Sequence, residues 1–327
     1  MKKYLVLLLL AIGNFANAQI QIGSNEIPTM NHPGNISAQD LADFKKTTTL
    51  FTFQYKDYAQ QQQFEKVIKA VWTITPFKII KPDEMDNYTN QDKYSFFSFG
   101  GFMIQHQGSS TLTSSMHLSY DLWLSDVKKN GRINQRFFSR IWLYPNNETF
   151  FTAMKSSWLR NKDFSGRMLS FLYNDALLYN WGAGFLKGYL KTVNDRLLTG
   201  NVRGPFSEET DNKALSALKR DTLYVPDYVY IHFNALTGAE IKKEEEVDED
   251  LRKAYSFPVK IVPATTLNEM ILNENNTIKY LLYVKSSTDK FINVFDGNTG
   301  SLLYARYVKI SYNFKNKDLN RLEKSID

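Results

Sequence analysis

The chain has 327 residues, 43% of them hydrophobic and 23% charged, with no cysteine and a formal net charge of +6. That composition excludes global disorder, and the missing cysteines exclude a disulfide framework, a thiol nucleophile and a lipid anchor on cysteine. The basic residues are spread among acidic ones with no stripe interleaved with aromatics, which argues against a nucleic-acid partner.

Met1-Lys2-Lys3 is followed by the apolar run Tyr4 to Ile12 and then by Ala16-Asn17-Ala18-Gln19. Positive, apolar, then small is the order of an export signal, and Ala-x-Ala places cleavage after Ala18. The apolar core is about 9 residues, short of the roughly 20 that span a bilayer. The expected mature chain is periplasmic or secreted, without a transmembrane span, and long enough for one large or two medium domains.

Residues 19–40 carry Gly23, Pro28, Pro33 and Gly34 and read as a flexible arm. Thr47 to Tyr55, rich in β-branched and aromatic residues, predicts a strand. Tyr58 to Trp72 repeats Phe64, Val67, Ile68 and Val71 at helical spacing. Further strands are expected at Phe77 to Ile80, Tyr94 to Gln105 (with two glycines inside), His117 to Leu124 and Arg136 to Tyr144. Together, 41–148 form a first α/β module. The stretch 149–214 is a helical connector: Leu169, Leu172, Tyr173, Ala176 and Leu177 share one stripe, and Phe185 to Val193 continue it past the glycines of Trp181-Gly182-Ala183-Gly184.

From Thr222 the first pattern returns. Thr222 to Tyr228 lies over Thr49 to Tyr55, Pro258-Val259-Lys260-Ile261-Val262 over Pro76-Phe77-Lys78-Ile79-Ile80, and Lys279-Tyr280 over Lys93-Tyr94. The agreement in order predicts an internal repeat, with 215–312 as the second α/β module and 313–327 as a charged C-terminal tail. Alternating runs on either side of Asp296-Gly297 predict a hairpin from Lys290 to Tyr307. The fold class is thus mixed α/β, two related sheet-plus-helix modules joined by a helical region.

No chemical motif stands out. His32, His106, His117 and His232 lack metal-ligand spacing, although His106 and His117 could face each other across a hairpin. Gly108 to Ser115 is a hydroxyl-rich loop with no nucleophile elbow. Gly182 to Gly188 misses dinucleotide-binding spacing and follows a helix, so Gly184 and Gly188 read as positions of close backbone approach. Glu244 to Asp250 reads as a solvated helix start rather than a calcium loop. No metal and no cofactor is expected.

The strand at Thr47 to Tyr55, the helix to Trp72, the strand Pro76 to Ile80 and their echo after Thr222 resemble an uncharacterised family of secreted proteins from Gram-negative bacteria. Strand, helix, strand in that order also loosely resembles the small α/β domain of TolB N-terminal and CsgG-like envelope proteins. The resemblance implies an envelope role and assigns no catalytic residue.

The expected function is that of an exported, non-enzymatic envelope protein binding a partner protein or a small ligand. The alternative is a hydrolase of an envelope polymer working through a loop carboxylate pair, and a third reading is a structural component of an assembly, suggested by 19 tyrosines and 23 phenylalanines. In α/β sheets, ligands favour the carboxyl ends of strands, which here nominates Gln54, Tyr55, Asp227 and Tyr228.

Overall fold

The computed structural model describes residues 19–26, 32–107, 112–128, 130, 133–153, 164–204, 207–234, 237–286, 289–309 and 311–326. The export signal at 1–18 lies outside the described residues, as does much of the hydroxyl-rich loop.

The first half folds as β1 (Ile20–Ile22), α1 (Ala38–Lys45), β2 (Thr48–Phe51), a 3-10 turn (Tyr55–Gln60), α2 (Gln61–Val71), β3 (Phe77–Ile79), a second 3-10 turn (Pro82–Asn87), β4 (Tyr94–Gln107), β5 (Leu112–Val127) and β6 (Ile133–Trp142). The strands form sheet 1 in the order β3-β2-β4-β5-β6-β1. Adjacent residues on β2 point to opposite faces. Leu50 therefore joins Ile80, Phe96 and Trp123 on one side, while Phe51 enters the large core under α2 on the other. That core receives Phe64, Val67, Ile68 and Val71, the four helical-spaced residues of α2.

The chain continues through α3 (Asn147–Ala153), α4 (Phe164–Asn174) and α5 (Ala183–Thr199) into the second half. There follow β7 (Glu209–Thr210), α6 (Asn212–Leu215), β8 (Leu223–Pro226), a 3-10 turn (Asp227–Tyr230), a small hairpin of β9 (Ile231–Phe233) and β10 (Glu240–Lys242), and α7 (Glu244–Ala254). The last elements are β11 (Val259–Val262), α8 (Ala264–Leu272), β12 (Lys279–Ser286), β13 (Asp289–Asp296), β14 (Leu302–Val308) and α9 (Asn316–Glu323). Sheet 2 has the order β11-β8-β12-β13-β14-β7. In each sheet a short strand next to one edge, β2 or β8, is parallel to its two neighbours, the rest alternate antiparallel, and the strand that precedes it in sequence closes the far edge. The hairpin Lys290 to Tyr307 forms, with a register shift after Val294.

Helix α5 lies in the core shared by the two sheets. Phe185, Leu186, Tyr189 and Leu190 belong to one apolar cluster with Phe51 and Tyr120 of sheet 1 and with Tyr280, Leu282 and Phe295 of sheet 2. Its glycines permit this: a Cβ on Gly184 would sit 2.6 Å from the Asn268 carbonyl, and one on Gly188 would sit 2.8 Å from the Phe295 ring. The opposite face of sheet 2 carries α7 and α9 through Leu281, Tyr283, Val294, Leu251 and Leu322. Covered on both sides, β12 is buried along its whole length.

Some expectations need correction. Gln19 to Ile22 are buried rather than part of a loose arm: Ile20 to Ile22 pair with β6, and Gln19 donates to the Trp142 carbonyl (3.2 Å) and accepts from Asn293 (2.6 Å). The C-terminal tail is docked through Phe314, Leu319, Leu322 and Ile326, and Lys290 forms a buried ion pair with Asp318. The connector's end, from Glu209, belongs to sheet 2. His106 and His117 do not face each other, since His106 pairs with Thr113 and His117 with Phe102. Thr49 lies opposite Phe77 and Leu223 opposite Val259, one residue off the sequence match, while Thr48 lies opposite Tyr94 and Tyr224 opposite Tyr280, three residues off it, so the two neighbours of β2 and β8 do not keep the matched register.

Candidate functional site

Strand β2 is only four residues long and pairs with β4 from Tyr94 to Phe97, whereas β4 runs on to Gln107. Beyond Phe97 the edge of β4 is therefore left by β2, and α4 comes in at this point: the Phe99 amide donates to the Tyr173 hydroxyl at 3.1 Å. Between them lies a cleft of about 390 Å³, lined by Met85, Phe99, Met116, Trp123, Met168, Leu169 and Leu172 with Ser98, His117 and Asp121 among its polar groups. Met85, Phe99 and Leu169 also line a second cleft of about 340 Å³ that reaches Tyr55, Asp83 and Asp86, so the two clefts adjoin across these side chains and together make up the candidate groove.

The walls come from two features that sheet 1 has and sheet 2 lacks. Strands β4 and β5 have 14 and 16 residues where β12 and β13 have 8 each. Residues 143–182 separate β6 from α5, where only 309–315 separate β14 from α9. The longer hairpin contributes Gly100, Met116 and His117, and the longer connection contributes Met168, Leu169 and Leu172.

Asp121, Ser98, Tyr173 and His117 at the groove are held by the protein itself. Arg140 forks onto Asp121 with bonds of 2.8 and 2.5 Å and its remaining terminal nitrogen donates to the Glu26 carbonyl. The Trp123 indole donates to Ser98 at 3.0 Å. The Tyr173 hydroxyl is 2.8 Å from Thr52 Oγ1, and burial pushes its pKa up to about 12. His117 Nδ1 is 2.8 Å from Ser286 Oγ of sheet 2, and burial, helped by the Arg140 charge, pushes its imidazole down to about 4. At neutral pH the imidazole is uncharged. Gly101 has φ 155°, and a Cβ there would lie 2.5 Å from the His117 carbonyl, so this close approach of β4 to β5 needs glycine.

The four residues nominated at strand ends go to different places. Tyr55 lines the groove, 37% exposed, and donates to Asp83 at 3.1 Å. Gln54 is wholly buried and its Nε2 donates to the carbonyls of Leu172 and Ala176, which ties the end of β2 to α4. Asp227 and Tyr228 line a separate cleft of about 360 Å³ beside Tyr179, Ile231 and Glu240. Asp227 accepts from the Ala264 amide at the start of α8 (3.0 Å), and Tyr179 donates to Glu240 at 3.3 Å. The groove residues of β4, β5 and α4 escape sequence reasoning; the paired glycines inside β4 are the one local signal of close approach. Among the described residues no group of three or more His, Asp or Glu is placed to hold a metal ion, and no helix is long and apolar enough to cross a membrane.

Comparison with protein-family models, with characterised proteins and with solved structures finds no match for this chain.

Proposed function

We propose that the chain is an exported, non-enzymatic envelope protein, periplasmic or secreted, whose groove on sheet 1 binds a small ligand or an element of a partner protein. The observation that carries this reading is that Met116, His117, Met168, Leu169 and Leu172 of the groove lining come from the two additions distinguishing the first module from the second, namely the extended β4–β5 hairpin and the β6–α5 connection. The matching strand orders support an internal repeat in which the first copy acquired a site. A concave site with an apolar lining and placed polar groups is the usual make-up of a ligand site, and Met85, Met116 and Met168 give this one adaptable walls. The leader-like N-terminus and the resemblance to envelope proteins support export.

The test uses N-phenyl-1-naphthylamine, a neutral apolar probe whose fluorescence rises on burial. Saturable binding near one probe per chain is expected, lost when Leu169, a partly exposed residue that lines both clefts, is changed to Gln. Saturable binding that Leu169→Gln leaves intact, or none at all, overturns the site. Intact mass of the exported protein is expected to begin at Gln19.

A further inference from the structure

We infer that the groove selects ligands that join an apolar body to a positively charged group, a cationic amphiphile in chemical class. The inference rests on the ligand-binding reading above and adds the charge of the ligand to it.

The argument is one of local charge against global charge. The chain as a whole carries +6, yet among the described residues no lysine or arginine lines either part of the groove. Its ionisable lining is acidic: Glu26 at the His117 end, Asp83 and Asp86 at the Tyr55 end. Asp121 is also there, but Arg140 behind it holds both carboxylate oxygens, so that pair presents little net charge. His117 adds none at neutral pH. An anionic head would meet Glu26 or the Asp83 and Asp86 carboxylates with no counter-charge among the described lining residues, while a cation would find one at either mouth. The apolar stretch between the mouths, formed by Met85, Phe99 and Leu169 where the two clefts join, accepts the ligand body.

The geometry also separates this groove from the cleft of the second module. There Lys242 lines the wall with Asp227 and Glu240 and is already paired with Glu244, so both signs are present. Among the described residues that line the groove of the first module, acids alone carry charge outside the Arg140–Asp121 pair.

Calorimetric titration of the full chain at pH 7 would compare decyltrimethylammonium, decanol and decanoate, all below their micelle-forming concentrations. The expected order is ammonium, then alcohol, then carboxylate, with the cation favoured over the alcohol by about three- to tenfold at low salt. The preference should collapse in 1 M salt, at a screening length of about 3 Å. The triple variant Glu26→Gln, Asp83→Asn, Asp86→Asn, which neutralises the acids of both mouths, should bring the ammonium-to-alcohol affinity ratio close to one. If the three compounds bind equally, or decanoate binds best, charge selection is wrong and the groove reading stands. If none binds saturably, or Leu169→Gln leaves decanol affinity untouched, the groove reading itself fails.

Discussion

His117 carries a measurable consequence of its position. It is 8% exposed, packs edge-on against Trp142 at 5.3 Å and reaches Ser286 across the junction of the two sheets. In the unfolded chain its imidazole takes a proton near 6.5, whereas in the folded chain burial and the neighbouring Arg140 hold that back to about 4. Between these values the unfolded state binds more protons than the native one, so stability rises with pH across that window and falls on acidification. The full loss below about pH 4 is roughly 3 kcal/mol, because delaying protonation by one pH unit is worth about 1.4 kcal/mol. Urea unfolding at pH 4.5 and pH 7 should show most of this difference in the parent and little of it in His117→Asn. An equal pH dependence in the two proteins would remove His117 from the account.

At the scale of elements, the tail helix α9 is held by both faces of its sequence. Leu319 and Leu322 enter the core while Asp318, 3% exposed, meets Lys290 of β13, 1% exposed at its side chain. Lys290→Met leaves the Asp318 carboxylate buried without its cation, which should cost about 3–5 kcal/mol and release α9, read as a lower thermal midpoint and early proteolysis after β14. This docking explains why the tail is illegible in the sequence: its charges dominate the composition, and the partner that neutralises one of them is 28 residues away. Strand β1 is hidden for a similar reason, since three residues among glycines and prolines show no alternation, and their burial is supplied by β6 and by Arg203. By contrast α2 and the strands β4 to β6 are readable, because their periodicities are complete within the segment. Of the groove, only Tyr55 and the paired glycines of β4 can be picked out. The rest depends on α4 meeting β4 across 74 residues of chain.

At the scale of the molecule, two modules with matching strand orders do not make two independent folding units. The face of sheet 2 that bears Tyr280, Leu282 and Phe295 is covered by α5, which follows the first module in sequence and also packs against α2. Gln19, before β1, is hydrogen-bonded to Asn293 on β13, so the first described residue is fastened to sheet 2. Residues 205–327 alone would keep the side of sheet 2 packed by α7 and α9 and expose the other, a contiguous apolar face of the kind that drives association. The intact chain should therefore lose near-UV and far-UV circular dichroism in one coincident transition, while the isolated fragment 205–327 should self-associate and melt without a cooperative step. A monomeric fragment with a sharp transition would mean that α5 is a dispensable cover and that the shared core contributes little to holding the second module together.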